Sequence, residues 1–256
     1  MLNFIKKYWV LILGVLISTI INIPHLIPSY YLDGYCSLCE GFNNYALTFV
    51  KAGRYITAAV YYIIDLLKVN PAIFSTISII LSNIILSIGM QIIYNDVLSL
   101  TNNDIKTKLI TFIGSFLICF NPFNIELYLF EESFVICLGI LTTILAGSVY
   151  FNNKRFSFIE TLFLLLIAAS CYQGTLSLFI PYVFLLTCLK NKNQNIFNNI
   201  KDNYKFYIKG LLCYGMSLIL SFVLLKIVLI IFNLNSLKMG ELNILLNVKT
   251  NLYLLY

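Results

Sequence analysis

Residues 54–67 read RYITAAVYYIIDLL. The run is apolar, yet it falls short of the ~20 residues that a membrane-crossing helix needs, and it carries Asp65. Whether it crosses decides which side every later loop faces. The chain around it is hydrophobic throughout: of 256 residues, 60% are apolar and 11% charged, with a mean hydropathy of +0.88. Soluble domains carry about 45–50% apolar and about 25% charged residues. A water-soluble globular enzyme and a disordered chain are therefore excluded. The apolar runs are far too long for the strands of a membrane barrel. An all-α, polytopic membrane helix bundle remains. The net charge of +6 would raise nucleic acid as a partner of a soluble protein. Here the basic residues sit between apolar runs, where they act as topology signals, so the partner is the lipid bilayer and no nucleic acid is expected.

Outward from 54–67, the spacing predicts spans at 8–23, 72–94, 109–120, 133–151, 156–170, 174–189 and 210–232. The cleanest, 72–94, is about 34 Å long at ~1.5 Å per residue. Several others are short and must recruit flanking residues. Asn70-Pro71 and Asn121-Pro122 interrupt the apolar pattern, because the residue before proline is disfavoured in a helix. Lys6 and Lys7 precede the first run, and no small-residue cleavage site follows it, so a membrane helix is expected there rather than a signal peptide.

Charge then decides the orientation. If 54–67 crosses and the N-terminus is cytoplasmic, Lys106, Lys108, Lys154, Arg155, Lys190, Lys192, Lys201, Lys205 and Lys209 all lie outside. That opposes the positive-inside rule. If 54–67 lies along the interface, all nine fall inside, together with Lys6 and Lys7. The outer side then holds Asp33, Glu40, Asp65, Glu126, Glu131, Glu132 and Glu241. The expected architecture is a single transmembrane domain over 1–256, with about seven spans. Residues 28–71 form a large outer loop with interfacial, juxtamembrane helices.

This topology gathers candidate residues on one face. Asp33 follows the first span among Tyr30, Tyr31 and Tyr35, a setting in which partial burial tunes a carboxylate. Lys51 and Arg54 are suited to a phosphate, Arg by bidentate hydrogen bonds. Lys226, inside a span, is a functional candidate with bundle pairing or snorkelling as the bland alternative. Cys36 and Cys39 form a lone CxxC. Two ordinary loop cysteines is the first reading, an extracellular disulfide the second, and zinc fails for want of ligands, since His25 is the only histidine. The other five cysteines fall in or beside apolar runs, as small buried hydrophobes do.

The order of these features resembles the GtrII-type membrane glucosyltransferases that modify bacterial O-antigen, a family similar to the GT-C glycosyltransferases. The matching elements are an acid after the first span (Asp33), Gly53-Arg54 opening an apolar juxtamembrane helix, Asn121-Pro122-Phe123, Glu126, Glu131-Glu132-Ser133 starting a span, and Tyr172-Gln173 in a tight turn. The family has two adjacent acids where Asp33 stands alone between Leu32 and Gly34. Its members also run longer, so the chain is expected to lack their C-terminal part. The resemblance implies an inverting transfer of a sugar, glucose first, from a polyprenyl-phosphate donor to a glycan acceptor. It places the active face in the periplasm, the N-terminus in the cytoplasm and the chain in the bacterial inner membrane. Asp33 would be the general base. Arg54 and Lys51 would neutralise the departing phosphate. Glu126, Glu131, Glu132, Tyr172 and Gln173 would bind sugar or acceptor. No cofactor or metal site is expected, as neither a glycine-rich phosphate loop nor a DxD pair occurs.

Two other classes fit the composition. A lipid-linked glycan flippase or a glycan polymerase shares it, but a flippase needs charges along a path through the membrane, and only Lys226 lies clearly within a span. A non-catalytic membrane subunit is the third.

Overall fold

The computed structural model describes residues 2–26, 41–102, 104–121, 126–152, 156–192 and 194–234. Among these residues there are ten α-helices and no strand. They are α1 Leu2–Ile21, α2 Phe42–Ala52, α3 Tyr55–Leu66, α4 Pro71–Leu100, α5 Ile105–Cys119, α6 Ser133–Asn152, α7 Ser157–Cys171, α8 Phe179–Lys190, α9 Ile196–Asp202 and α10 Tyr204–Ile231. Short 3-10 turns occupy Ile23–Leu26, Glu126–Leu129 and Gln173–Leu178. The fold is a helical membrane bundle. Among the described residues, four helical stretches are long and apolar enough to cross a bilayer: α4, α6, Gln173–Lys190 and α10. Lys7–Ile21, α3 and α7 are shorter apolar helices. Cys36, Cys39 and Asp33 lie outside the described residues.

Local chemistry sets the boundaries. Asn70 caps α4, its side-chain oxygen accepting from the Ala72 N–H at 2.9 Å, and Pro71 occupies the first helical position, where a missing N–H costs nothing. Asp104 caps α5 through the Thr107 N–H. α1 is broken at Tyr8 (φ −116°, ψ 19°), where the apolar run begins. α4 runs six residues past the predicted Tyr94. Asn95, Asp96 and Ser99 continue the helix because the bundle supplies partners: the Tyr182 hydroxyl donates to Asp96 at 2.7 Å, and Gln91 donates to Asn95 at 2.9 Å. The expected loop at 190–209 contains α9 and the first turns of α10. The hairpin strand of helix expected from Gly174 starts as the 3-10 turn Gln173–Leu178, and Pro181 falls in the first turn of α8, where proline is tolerated.

α6 is the central helix. It is buried on nearly every side and runs parallel to α4, since Ser78 meets Ser133 and Gly89 meets Ile144. It is antiparallel to α7, with Gly139 against Cys171 and Thr161 against Ala146. α1 runs antiparallel to α4: Leu11 pairs with Gln91 and Asn22 with Asn83. Small residues at these crossings let backbones approach, as membrane helix packing requires. α10 is the peripheral member, with large apolar side chains such as Ile219 and Ile230 turned outward. α5 is short: Cys119, its last residue, lies near Gly89 in the second half of α4. The chain after it climbs back along α4, Tyr128 donating to Asn83 at 2.8 Å, until Ser133 reaches Ser78.

α3 crosses the end of the bundle. Thr57 donates to the carbonyl of Cys171, the last residue of α7, at 3.0 Å. Tyr61, one turn on, reaches Glu131 and Glu132 just before α6. α3 thus packs along α2 and touches the ends of α6 and α7, and at twelve residues it is shorter than the helices long enough to cross a bilayer.

Candidate functional site

The Gly53-Arg54 element is a helix terminator. Gly53 adopts a left-handed conformation (φ 78°, ψ 20°) after α2, its N–H bonding the Val50 carbonyl at 3.0 Å and the Arg54 N–H bonding that of Phe49 at 2.9 Å. These two bonds make a Schellman cap, which needs a residue that tolerates positive φ. A side chain there would also press on Gln173, since a Cβ would sit 3.1 Å from its Nε2. The cap reverses the chain and aims Arg54 at the end of the bundle.

There Arg54 is held on two sides. Its guanidinium lies 4.5 Å from the centre of the Tyr172 ring, a cation–π contact, with the Phe49 ring at 5.9 Å. One of its nitrogens is 4.0 Å from Glu132 Oε1, too long for a hydrogen bond but close enough for charge pairing. The Arg54 side chain keeps 30% of its surface exposed, whereas that of Glu132 keeps 3%. A carboxylate so buried needs compensation, which it has here. The helix dipole adds to it, because the Glu132 carbonyl accepts the first bonds of α6, from Val135 and Ile136, placing the acid at the positive end of that helix. Next to it, Ser133 locks α6 to α4: Ser78 and Ser82 lie 2.9 and 3.0 Å from its hydroxyl.

The second oxygen of Glu132 is held by Tyr61, whose hydroxyl donates to Oε2 at 3.0 Å and lies 3.5 Å from Glu131 Oε2. Tyr61 is fully buried. Its ring packs against Phe42, Tyr45, Phe49 and Phe74 at centroid distances of 5.0–5.8 Å. Burial, and then the neighbouring Glu132 and Glu131 charges, push the Tyr61 hydroxyl well above the ordinary tyrosine value of 10.0, so it stays protonated and donates. Sequence reading missed Tyr61. It stands among eighteen tyrosines and beside Tyr62, which is half exposed, and only the crossing angle of α3 tells the two apart.

The structure thus brings Arg54, Glu131, Glu132, Tyr172 and Gln173 together; Gln173 donates to the Ala52 carbonyl at 3.4 Å, tying the Tyr172 turn to the end of α2. Lys51 sits in the last turn of α2, half-buried, outside the Arg54–Glu132 pair. Glu126 heads the turn Glu126–Leu129, and its side chain, like all of Asp33, lies outside the described residues. Lys226 is half-buried on α10, 5.4 Å from the Phe222 ring; its neighbour Leu225 touches the Gly53 position. Among the described residues, no three His, Cys, Asp or Glu side chains form a group able to hold a metal ion.

A cavity of about 370 Å³ borders the same turn. Tyr172, Asn121, Gly174, Thr175 and Ser177 line it with Ile118, Leu127, Ile136, Ile140, Leu178 and Pro181. Among the described residues, Tyr172 joins it to the charged cluster. The arrangement is a partly exposed cation fixed over an aromatic ring, two buried acids beside it, and a largely apolar space next to both. It suits a ligand with an anionic head and an apolar body.

A family model, glucosyl transferase GtrII, matches residues 25–255. No curated protein and no solved structure matches the chain.

Proposed function

The chain belongs to the GtrII glucosyl transferase family, and from that premise we propose that it moves glucose from a polyprenyl-phosphate donor to a surface glycan such as O-antigen. As a member of that family it is a glucosyl transferase, acting on a sugar donor and an acceptor at a membrane. The donor reading rests above all on one observation: Tyr172, whose ring carries the Arg54 guanidinium at 4.5 Å, also lines a largely apolar cavity. A lipid-phosphate sugar has the matching parts, an anionic head for the guanidinium and an isoprenoid body for the apolar lining. The site needs no nucleotide pocket, because the lipid phosphate itself is the leaving group.

In this mechanism the acceptor hydroxyl attacks the anomeric carbon from the face opposite the phosphate, and the configuration inverts. Asp33 takes the proton from that hydroxyl. Arg54, assisted by Lys51, stabilises the charge that grows on the leaving phosphate. Glu132 and Glu131, with Glu126, accept hydrogen bonds from sugar or acceptor hydroxyls, and Tyr172 and Gln173 line the approach. The reaction requires no cofactor. The orientation follows from charge: Lys106, Lys108, Lys190, Lys201, Lys205 and Lys209 belong to helix ends opposite Arg54, so the site faces the periplasm if those ends are cytoplasmic. The membrane is then the bacterial inner membrane.

Mass analysis of surface glycan tests this reading in host cells expressing the native chain, Asp33→Asn or Arg54→Gln. The native chain is expected to add the mass of one hexose per modified unit. Both variants are expected to reduce that product at least 100-fold, a loss typical of removing a catalytic base or a charge stabiliser. Full product from Asp33→Asn moves the base elsewhere; full product from Arg54→Gln removes the guanidinium from the mechanism. No mass gain from native chain present in the membrane contradicts the reading.

A further inference from the structure

We infer that Tyr61 is a positioning residue for the transfer: its hydroxyl holds the Glu132 carboxylate in the orientation in which that carboxylate meets the sugar or acceptor. The inference rests on the reading of Glu132 as a substrate-binding acid. Three observations carry it. The hydroxyl donates to Glu132 Oε2 at 3.0 Å, while Oε1 of the same carboxylate faces Arg54. Each oxygen of Glu132 therefore has its own partner, both supplied by residues at or after the start of α3, seven positions apart. Rotation about the last side-chain bond of Glu132 breaks both contacts at once.

Second, Tyr61 itself is closely packed. It is fully buried, and four aromatic rings from α2 and α4 enclose it. Phe49 belongs to this box and also lies under Arg54. One aromatic cluster thus fixes the donor to Oε2 and supports the cation facing Oε1. Such enclosure is what a precise site needs around the groups that touch substrate.

The third observation concerns what the box would otherwise be. A cluster built only for packing has no use for a hydroxyl, and a buried hydroxyl is costly unless it is hydrogen-bonded. Here the single polar tip of Tyr61 points at the acids. Arg54 and Tyr61 face Glu132, and Glu131 stands beside it in the chain; Ser78 and Ser82, from α4, bond the adjacent Ser133 and carry no charge.

The test uses membranes carrying the full chain, synthetic polyprenyl-phosphate [14C]glucose as donor and the host's surface glycan as acceptor. Tyr61→Phe keeps the ring and removes one oxygen. It is expected to lower label transfer per mole of protein about 10-fold or more, with thermal unfolding in detergent little changed. Placed in a Glu132→Gln background, it is expected to cost no further activity, because the two act as one unit. A second variant guards against a folding defect in the first. Glu132→Asp keeps the charge but withdraws it by one methylene from Tyr61, and is expected to lose about as much as Glu132→Gln.

If Glu132→Gln is impaired while Tyr61→Phe is fully active, or adds its whole loss to Glu132→Gln, the role of Tyr61 is overturned and the site stands. Full activity of Glu132→Asp overturns it in the same way. If Glu132→Gln is fully active, or the native chain transfers no label, the site reading falls and the role of Tyr61 falls with it.

Discussion

Arg54 owes its direction to its neighbour Gly53. An L side chain in the left-handed region costs about 1–2 kcal/mol, and at this position it also displaces Gln173. Gly53→Ala is therefore expected to destabilise the protein by about 1–2 kcal/mol. It is also expected to lower glucosyl transfer more than its loss of folded protein explains, since the cap aims the guanidinium. Transfer per mole of folded, detergent-extracted protein checks this; an undiminished value would mean that Arg54 finds its place without the cap. At this scale the sequence was informative about charge and silent about tyrosine. Arg54, Glu131 and Glu132 stand out because an apolar chain carries few charges. Topology placed the Tyr172-Gln173 turn on the acidic face and the family resemblance suggested its role, while Tyr61 was not legible at all, because nothing local separates a buried Tyr61 from a half-exposed Tyr62.

Helix placement was legible where composition and length agree. The apolar runs at 72–94, 133–151 and 210–232 appear as α4, α6 and α10. The shortness of 54–67 reappears in α3, twelve residues long and shorter than the helices able to cross a bilayer. Boundaries were less legible, because they depend on partners distant in the chain. α4 outlasts its apolar run where Tyr182 satisfies Asp96, and α5 begins at Ile105, ahead of the apolar run at 109, where Asp104 caps it. The α6–α8 contact behind Tyr182 is tight: a Cβ on Gly147 would sit 2.5 Å from a Tyr182 ring carbon, so the ring would have to shift. Gly147→Ala is expected to cost about 1–3 kcal/mol through overpacking. Gly147 lies fifteen residues along the chain from Glu132, so transfer per mole of folded protein is expected to hold. A thermal unfolding series paired with the transfer assay separates the two effects, and a selective loss of activity would reveal coupling along α6.

The bundle as a whole is polarised by charge. Helix ends rich in lysine lie at one extreme, and the buried acids with Arg54 lie at the other, under the α2–α3 aromatic cap. A one-sided cluster favours transfer at one membrane face over carriage through the membrane, which demands charges along the path. Whether the glucose arrives on a lipid phosphate is measured in membranes of a host unable to make lipid-linked glucose, carrying the full chain and supplied separately with polyprenyl-phosphate [14C]glucose or with nucleotide-linked [14C]glucose. The prediction is label in the surface glycan from the lipid donor alone, abolished by Arg54→Gln. Label from the nucleotide sugar alone would contradict it.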